Sequence, residues 1–243
     1  LKLTGFQILL IRFKGIPNMA SKLMKTLNSS IVKKQMMAVS GLMLCGFLVS
    51  HLIGNCLIYV GAEAFNTYAH TLITNPLIYL AEAILASLFL FHIGMGIRLT
   101  VENRKARPDR YFVKQHSGAG ATFASATMPY TGLIILAFLI YHLINFKYGP
   151  YYTISHGGVE MRDLYRLLIE YFSAPLNVFI YIACMVALGI HLSHGFWSAF
   201  QSLGVDHPKY TPCIKLIAKL YAVAMTVGYS ALPLYCYLAK GGY

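Results

Sequence analysis

Apolar positions along this chain fall into five long blocks, about 36 to 60, 77 to 99, 127 to 147, 175 to 200 and 220 to 239, separated by polar, basic or glycine-containing connections. A helix needs about 20 mainly apolar residues to cross roughly 30 Å of hydrocarbon, and each block meets that length. The pattern predicts an all-α integral membrane protein with five transmembrane helices in one domain, 36–243. A basic N-terminal segment, 1–35, precedes it, and there is no separate soluble catalytic domain. Within 1–35 the short apolar run FQILLI is bounded by Arg12 and Lys14, too short to span, and is expected to be a surface-associated leader or extension. Between the third and fourth blocks, MRDLYRLLIEYF places Leu164, Leu167, Leu168 and Tyr171 at helical spacing, which predicts an interfacial helix over 161–172.

Composition agrees with that class. Apolar residues make up 57% of the chain and charged residues 12%, with a mean hydropathy of +0.59, which excludes an ordinary soluble domain. The net charge of +12 would suit nucleic acid, but its distribution speaks for membrane topology instead. Sixteen of the 20 Lys and Arg precede the first block or flank the connections between blocks two and three and between blocks four and five. Only Lys147, Arg162, Arg166 and Lys240 belong to the other side. The positive-inside rule therefore predicts a multi-pass protein of the inner (cytoplasmic) membrane, N-terminus inside and C-terminus outside. The stack of basic loops also offers a docking face for a soluble partner, with no call for nucleic acid. The five cysteines include no CxxC and read as small apolar residues, and without CxxCH any haem here is of the non-covalent b type.

Four blocks carry a histidine where a lipid-facing helix would carry leucine: His51 in SHLIGN, His92 in FLFHIGMG, His142 in LIYHLINF and His191 in LGIHLSHGFW. An intramembrane ionisable residue is costly and points to function by default. Helix rise makes depth calculable. His51 and His142 each lie about 15 residues, or roughly 22 Å, from the inner ends of helices running outward. His92 and His191 lie about 15 or 16 residues below the outer ends of helices running inward. The four therefore form two pairs, an outer one and an inner one some 14 Å lower. Two imidazoles on two helices at one depth are what a haem with two axial histidines requires, so the first four helices are expected to form a haem-binding bundle. A lone buried histidine would be explained by a hydrogen-bonded neighbour; four at matched depths call for a common cause. Gly41 and Gly132 stand ten residues before His51 and His142, at the inner level, where bare backbone leaves room for a macrocycle or for close helix packing. His194 is the rival ligand in the fourth helix, nearer the inner surface.

At these residues the chain resembles the single-chain, two-haem cytochrome b anchor of succinate dehydrogenase and fumarate reductase, respiratory complex II. The resemblance runs from about residue 36 onward. It rests on HLIGN with GAEAFNTYAH, on YLAEAILASLFLFHIGMGI, on the Tyr-His of LIYHL and on GIHLSHGFWSAFQSLGV. It implies that His51 and His142 hold the outer haem iron and His92 and His191 the inner one. The cofactors it implies are two haem b and a quinone of the menaquinone type. The implied partners are an FAD flavoprotein subunit and an iron-sulfur subunit on the inner face, besides membrane lipid. Such an anchor relays electrons between the iron-sulfur subunit and quinone without touching succinate or fumarate, and dimerisation of the complex is compatible with the pattern.

Other residues fit this scheme with alternatives open. Arg98, near the inner surface, is a haem-propionate partner or a topology anchor. Glu82 exchanges protons with quinone or holds another helix by a hydrogen bond. Glu63, Asn66 and His70, in the connection after the first block, form a polar pocket for quinone headgroups or a solvated loop. An anchor of a hydrogenase or formate dehydrogenase would share the haems and differ in partner. A haem-free transporter or scaffold would call for broken helices near the midplane, whereas Pro129 and Pro233 lie toward helix ends.

Overall fold

The computed structural model describes residues 19–106 and 122–240. The FQILLI run, Lys2, Arg12 and Lys14, and the basic residues Arg107, Arg110 and Lys114 lie outside the described residues. The elements in order are α1 (Met19–Leu27), α2 (Ser30–Asn55), α3 (Ala62–Thr74), α4 (Ile78–Lys105), α5 (Phe123–His142), β1 (Thr153–His156), β2 (Val159–Arg162), α6 (Leu164–Phe172), α7 (Pro175–Ser202) and α8 (Thr211–Ala239). A 3-10 turn, Cys56–Tyr59, extends α2, and a π-helical turn, Leu143–Lys147, extends α5. Five of these helices, α2, α4, α5, α7 and α8, are long and apolar enough to cross a membrane, so the protein is an all-α, multi-pass membrane protein.

The first long helix starts at Ser30 because Ser29 caps it, its Oγ accepting from the Val32 N–H at 3.3 Å. This start draws Lys33 and Lys34 into the helix. Lys33 is buried and pairs with Glu102 near the end of α4, so the charge is not carried unpaired.

Helices α2, α4, α5 and α7 make a four-helix bundle. Helix α2 packs on α4 and α7, and α5 packs on α7, while the α4–α5 seam is sparse. The remaining pairs, α2 with α5 and α4 with α7, stand diagonally across the bundle without close backbone packing. Helix α8 lies outside this square against α7 and α2. Two glycines permit that approach: a Cβ on Gly189 would come within 2.0 Å of Thr226 Oγ1, and one on Gly228 within 2.7 Å of Leu52 Cδ2. Two tyrosines of α8 donate to carbonyls of α2, Tyr221 to Cys45 at 2.8 Å and Tyr229 to Leu48 at 2.7 Å. These bonds fix α8 to the bundle without a ligand of its own.

One end of the bundle is capped by α3, the β1–β2 hairpin and α6. The segment with Glu63, Asn66 and His70, read from sequence as a polar pocket or a solvated loop, is the helix α3. Gly157 and Gly158, at φ +59° and +81°, form the two-residue turn of an antiparallel hairpin in which Thr153 faces Arg162 and His156 faces Val159. A helix is present in the segment expected to hold an interfacial one, but it begins at Leu164, because Asp163 caps it through the Arg166 N–H at 3.0 Å while Met161 and Arg162 belong to β2. Its buried side comprises Tyr165, Leu167, Ile169 and Phe172, a broader face than expected, since α3 covers it from one side and α8 from another. A core of Ile58, Phe65, Phe172, Tyr181 and Leu232 fills the space beneath. The opposite end, with α1 and the turn between α7 and α8, is the basic end.

Candidate functional site

His51, four residues before the end of α2, and His142, the final residue of α5, meet across the diagonal of the bundle. Their ring centres are 6.0 Å apart and the ring planes are at 88°. Aromatic side chains surround the pair. Phe47 lies parallel to His51 at 5.3 Å, while Phe146 and Phe138 approach His142 at 5.4 Å and 5.8 Å. Tyr229 and Tyr181 close the remaining sides at 6.1 Å and 6.3 Å. Immediately after His142 the helix widens into its π turn, with the Tyr148 N–H donating to Leu143 O at 3.0 Å. Such turns collect at functional sites because they re-aim the side chains around them. The Nδ1 atom of His142 is buried with no hydrogen-bond partner.

His92 of α4 and His191 of α7 occupy the second level, on the two helices of the other diagonal. Each ring rests its Nδ1–Cε1 edge on a neighbouring helix. Ser40 Oγ of α2 lies 3.1 Å from His92 Nδ1, and Thr131 Oγ1 of α5 lies 3.1 Å from His191 Nδ1. The following glycines make the approach feasible: a Cβ on Gly41 would meet His92 Cε1 at 3.1 Å, and one on Gly132 would meet His191 Cε1 at 3.6 Å. Sequence reasoning found the glycines and missed the hydroxyls. The signal was present, because α2 and α5 share one pattern, Ser/Thr-Gly, nine residues, His, at 40–51 and 131–142. Each of these two helices thus supplies a histidine to one level and a hydroxyl–glycine seat to a histidine of the other, about 15 Å away by helix rise.

The residues fit a metal group with two axial imidazoles. Axial nitrogens about 2 Å on either side of one metal put the imidazole centres about 6 Å apart, the separation seen for His51 and His142. Among the described residues no three His, Cys, Asp or Glu side chains converge as a metal cage. The level of His51 and His142 is thus walled by aromatic rings.

The other predicted residues divide between the two ends. Arg98 is exposed at the basic end, where it donates to Glu102 Oε1 at 3.0 Å and Asn28 Oδ1 at 2.8 Å. Glu82, in the second turn of α4, forms an exposed ion pair with Lys147 of the π turn. Glu63 is exposed in the first turn of α3 and borders a shallow groove with Val60, Thr67, Tyr68 and Thr71. His70, half-buried, lies further along the same helix. Asn66 is apart from these three: it has no exposed surface, donates to Asp163 Oδ1 at 2.8 Å and accepts the Tyr165 N–H at 2.9 Å. His194 stands edge-on to Trp197 at 5.4 Å with a buried, unpartnered Nδ1, and Lys215 lies over the same indole.

The chain is similar to the succinate dehydrogenase cytochrome b558 subunit of Bacillus subtilis (strain 168), 23% identical over 160 residues that cover 65% of this chain and 72% of that protein. No family pattern matches the chain. No solved structure matches it.

Proposed function

We propose that this protein is the membrane anchor and electron-transfer subunit of a succinate:quinone oxidoreductase or quinol:fumarate reductase, with two b haems. The observation that carries the reading is His51 meeting His142 at 6.0 Å across one diagonal of the bundle, with His92 and His191 on the two helices of the other diagonal. The similarity to a succinate dehydrogenase cytochrome b558 subunit supports it independently. Haem, when bound, supplies reversible one-electron transfer. His51 and His142 hold the outer group, and His92 and His191 the inner one. Phe47, Phe138 and Phe146 keep the outer level dry.

The basic end faces the cytoplasm and seats the iron-sulfur subunit, which carries electrons from the FAD subunit. Arg98, whose guanidinium is engaged by Glu102 and Asn28 at the basic end, is the propionate partner in this reading. The quinone, menaquinone in this reading, binds toward the capped end. Glu82 is the proton-exchanging carboxylate in this reading, paired with Lys147, and Glu63 borders the groove of α3 with His70 further along that helix. Asn66 contributes by holding α3 to the start of α6, since both ends of its amide are engaged.

The deciding experiment is a reduced-minus-oxidised spectrum with potentiometric titration of the complex purified through this chain. Two low-spin b centres copurifying with a flavoprotein and an iron-sulfur protein are expected. Copurification with a hydrogenase or formate dehydrogenase, or a preparation without b-type absorption, would defeat the proposal.

A further inference from the structure

The histidines of the basic-end level have partners that the other pair lacks. Ser40 Oγ and Thr131 Oγ1 are each 3.1 Å from a ring Nδ1, and each hydroxyl also reaches a carbonyl of its own helix. Ser40 meets Met37 O at 3.0 Å; Thr131 meets Thr127 O at 3.1 Å and Met128 O at 3.2 Å. A hydroxyl has one proton to give and lone pairs to receive with. With that proton donated to the preceding turn, the oxygen accepts from the ring, so Nδ1 carries the imidazole hydrogen and Nε2 keeps its lone pair. Ser40 and Thr131 are buried, at 3% and 5% exposure, so water does not compete for these bonds. The capped-end pair is built differently. His142 Nδ1 has no partner, and the ring of His51 meets only the Asn55 amide nitrogen, a donor, at 3.4 Å.

We infer that Ser40 and Thr131 are positioning residues that set the tautomer, ring orientation and donor strength of His92 and His191. This rests on the haem reading above. An acceptor on Nδ1–H makes Nε2 a stronger electron donor, which favours the oxidised form of a metal bound there and lowers its potential. Because both hydroxyls act on one level, their removal changes one centre.

The test uses the intact complex with Ser40→Ala, Thr131→Ala, the double variant, and the conservative Ser40→Thr and Thr131→Ser. Each is titrated anaerobically while the two b centres are followed by absorption and low-spin electron paramagnetic resonance. The basic-end centre is identified as the signal missing from His92→Ala. The expected result is a shift of that centre to higher potential with altered g values in both alanine variants, larger in the double variant. The other centre stays in place, and the conservative variants behave as the unaltered protein. Loss of the basic-end haem from Ser40→Ala, with retention in Ser40→Thr, equally supports the assignment. Unmoved potentials with both haems retained would overturn it, as would equal shifts of both centres or haem loss in Ser40→Thr as well. A wild-type complex without b-type absorption would overturn the haem reading itself, and this inference with it.

Discussion

Asn66 and Asp163, separated by 97 positions, join the two connections of the capped end through a buried bond of 2.8 Å from Nδ2 to Oδ1. Asp163 also caps α6, and Asn66 Oδ1 takes the Tyr165 N–H, so one amide secures the start of that helix against α3. The relationship gives a buried polar group in this end of the protein a structural purpose.

Replacement of Asn66 by Ala removes two buried hydrogen bonds, the one it donates to Asp163 Oδ1 and the one it accepts from the Tyr165 N–H. A loss of about 1–3 kcal/mol of stability is expected. Thermal unfolding in detergent, with limited proteolysis between α5 and α7, measures it. An unchanged unfolding temperature and an unchanged cleavage pattern would show that the bond is dispensable.

The diagonal pairing predicts which substitutions share a phenotype. His51→Ala and His142→Ala remove the same b centre, whereas His92→Ala and His191→Ala remove the other. Pyridine-haemochrome quantitation and low-temperature spectra read the outcome. Loss of one signal on His51→Ala and of the other on His142→Ala would rule out the pairing.

Gly41 and Gly132 predict a graded effect. A methyl at Gly41 meets His92 Cε1 at 3.1 Å and displaces the ring, while a methyl at Gly132 meets His191 Cε1 at an ordinary 3.6 Å. Gly41→Ala should therefore reduce occupancy of the basic-end haem, and Gly132→Ala should leave it near the unaltered level. Haem-to-protein ratios of the two purified variants decide between this order and its reverse.

Glu82 and Lys147 are both more than a third exposed, so their ion pair contributes only about 0–1 kcal/mol to stability. Glu82→Gln should keep both haems and the fold while lowering quinone turnover about a hundredfold or more, the scale of a lost proton-transfer group. Parallel measurement of unfolding and of succinate:quinone activity separates the roles. Full activity in Glu82→Gln would assign the carboxylate to topology alone.

Much of this architecture is legible along the chain because hydrocarbon leaves so few options. A backbone that must satisfy its own hydrogen bonds across about 30 Å becomes a helix of about 20 apolar residues. Five such blocks are visible in the sequence, with Pro175 marking the start of α7. Fixed helix rise also turns sequence spacing into depth, which is why the levels of His51 with His142 and of His92 with His191 follow from counting.

Rotation about each helix axis does not follow from counting, because blocks apolar on every side leave it to tertiary packing. Only the folded bundle puts α2 opposite α5 and α4 opposite α7, and so turns Ser40 toward His92 and Thr131 toward His191. Tertiary structure likewise joins Glu82 to Lys147 through the π turn after His142, and buries Asn66 against α6 with both ends of its amide engaged. The sequence by itself determined the spans and the depth of each histidine, through bilayer thickness and helix rise. The tertiary structure decided what each histidine faces, because contacts between helices set their rotation.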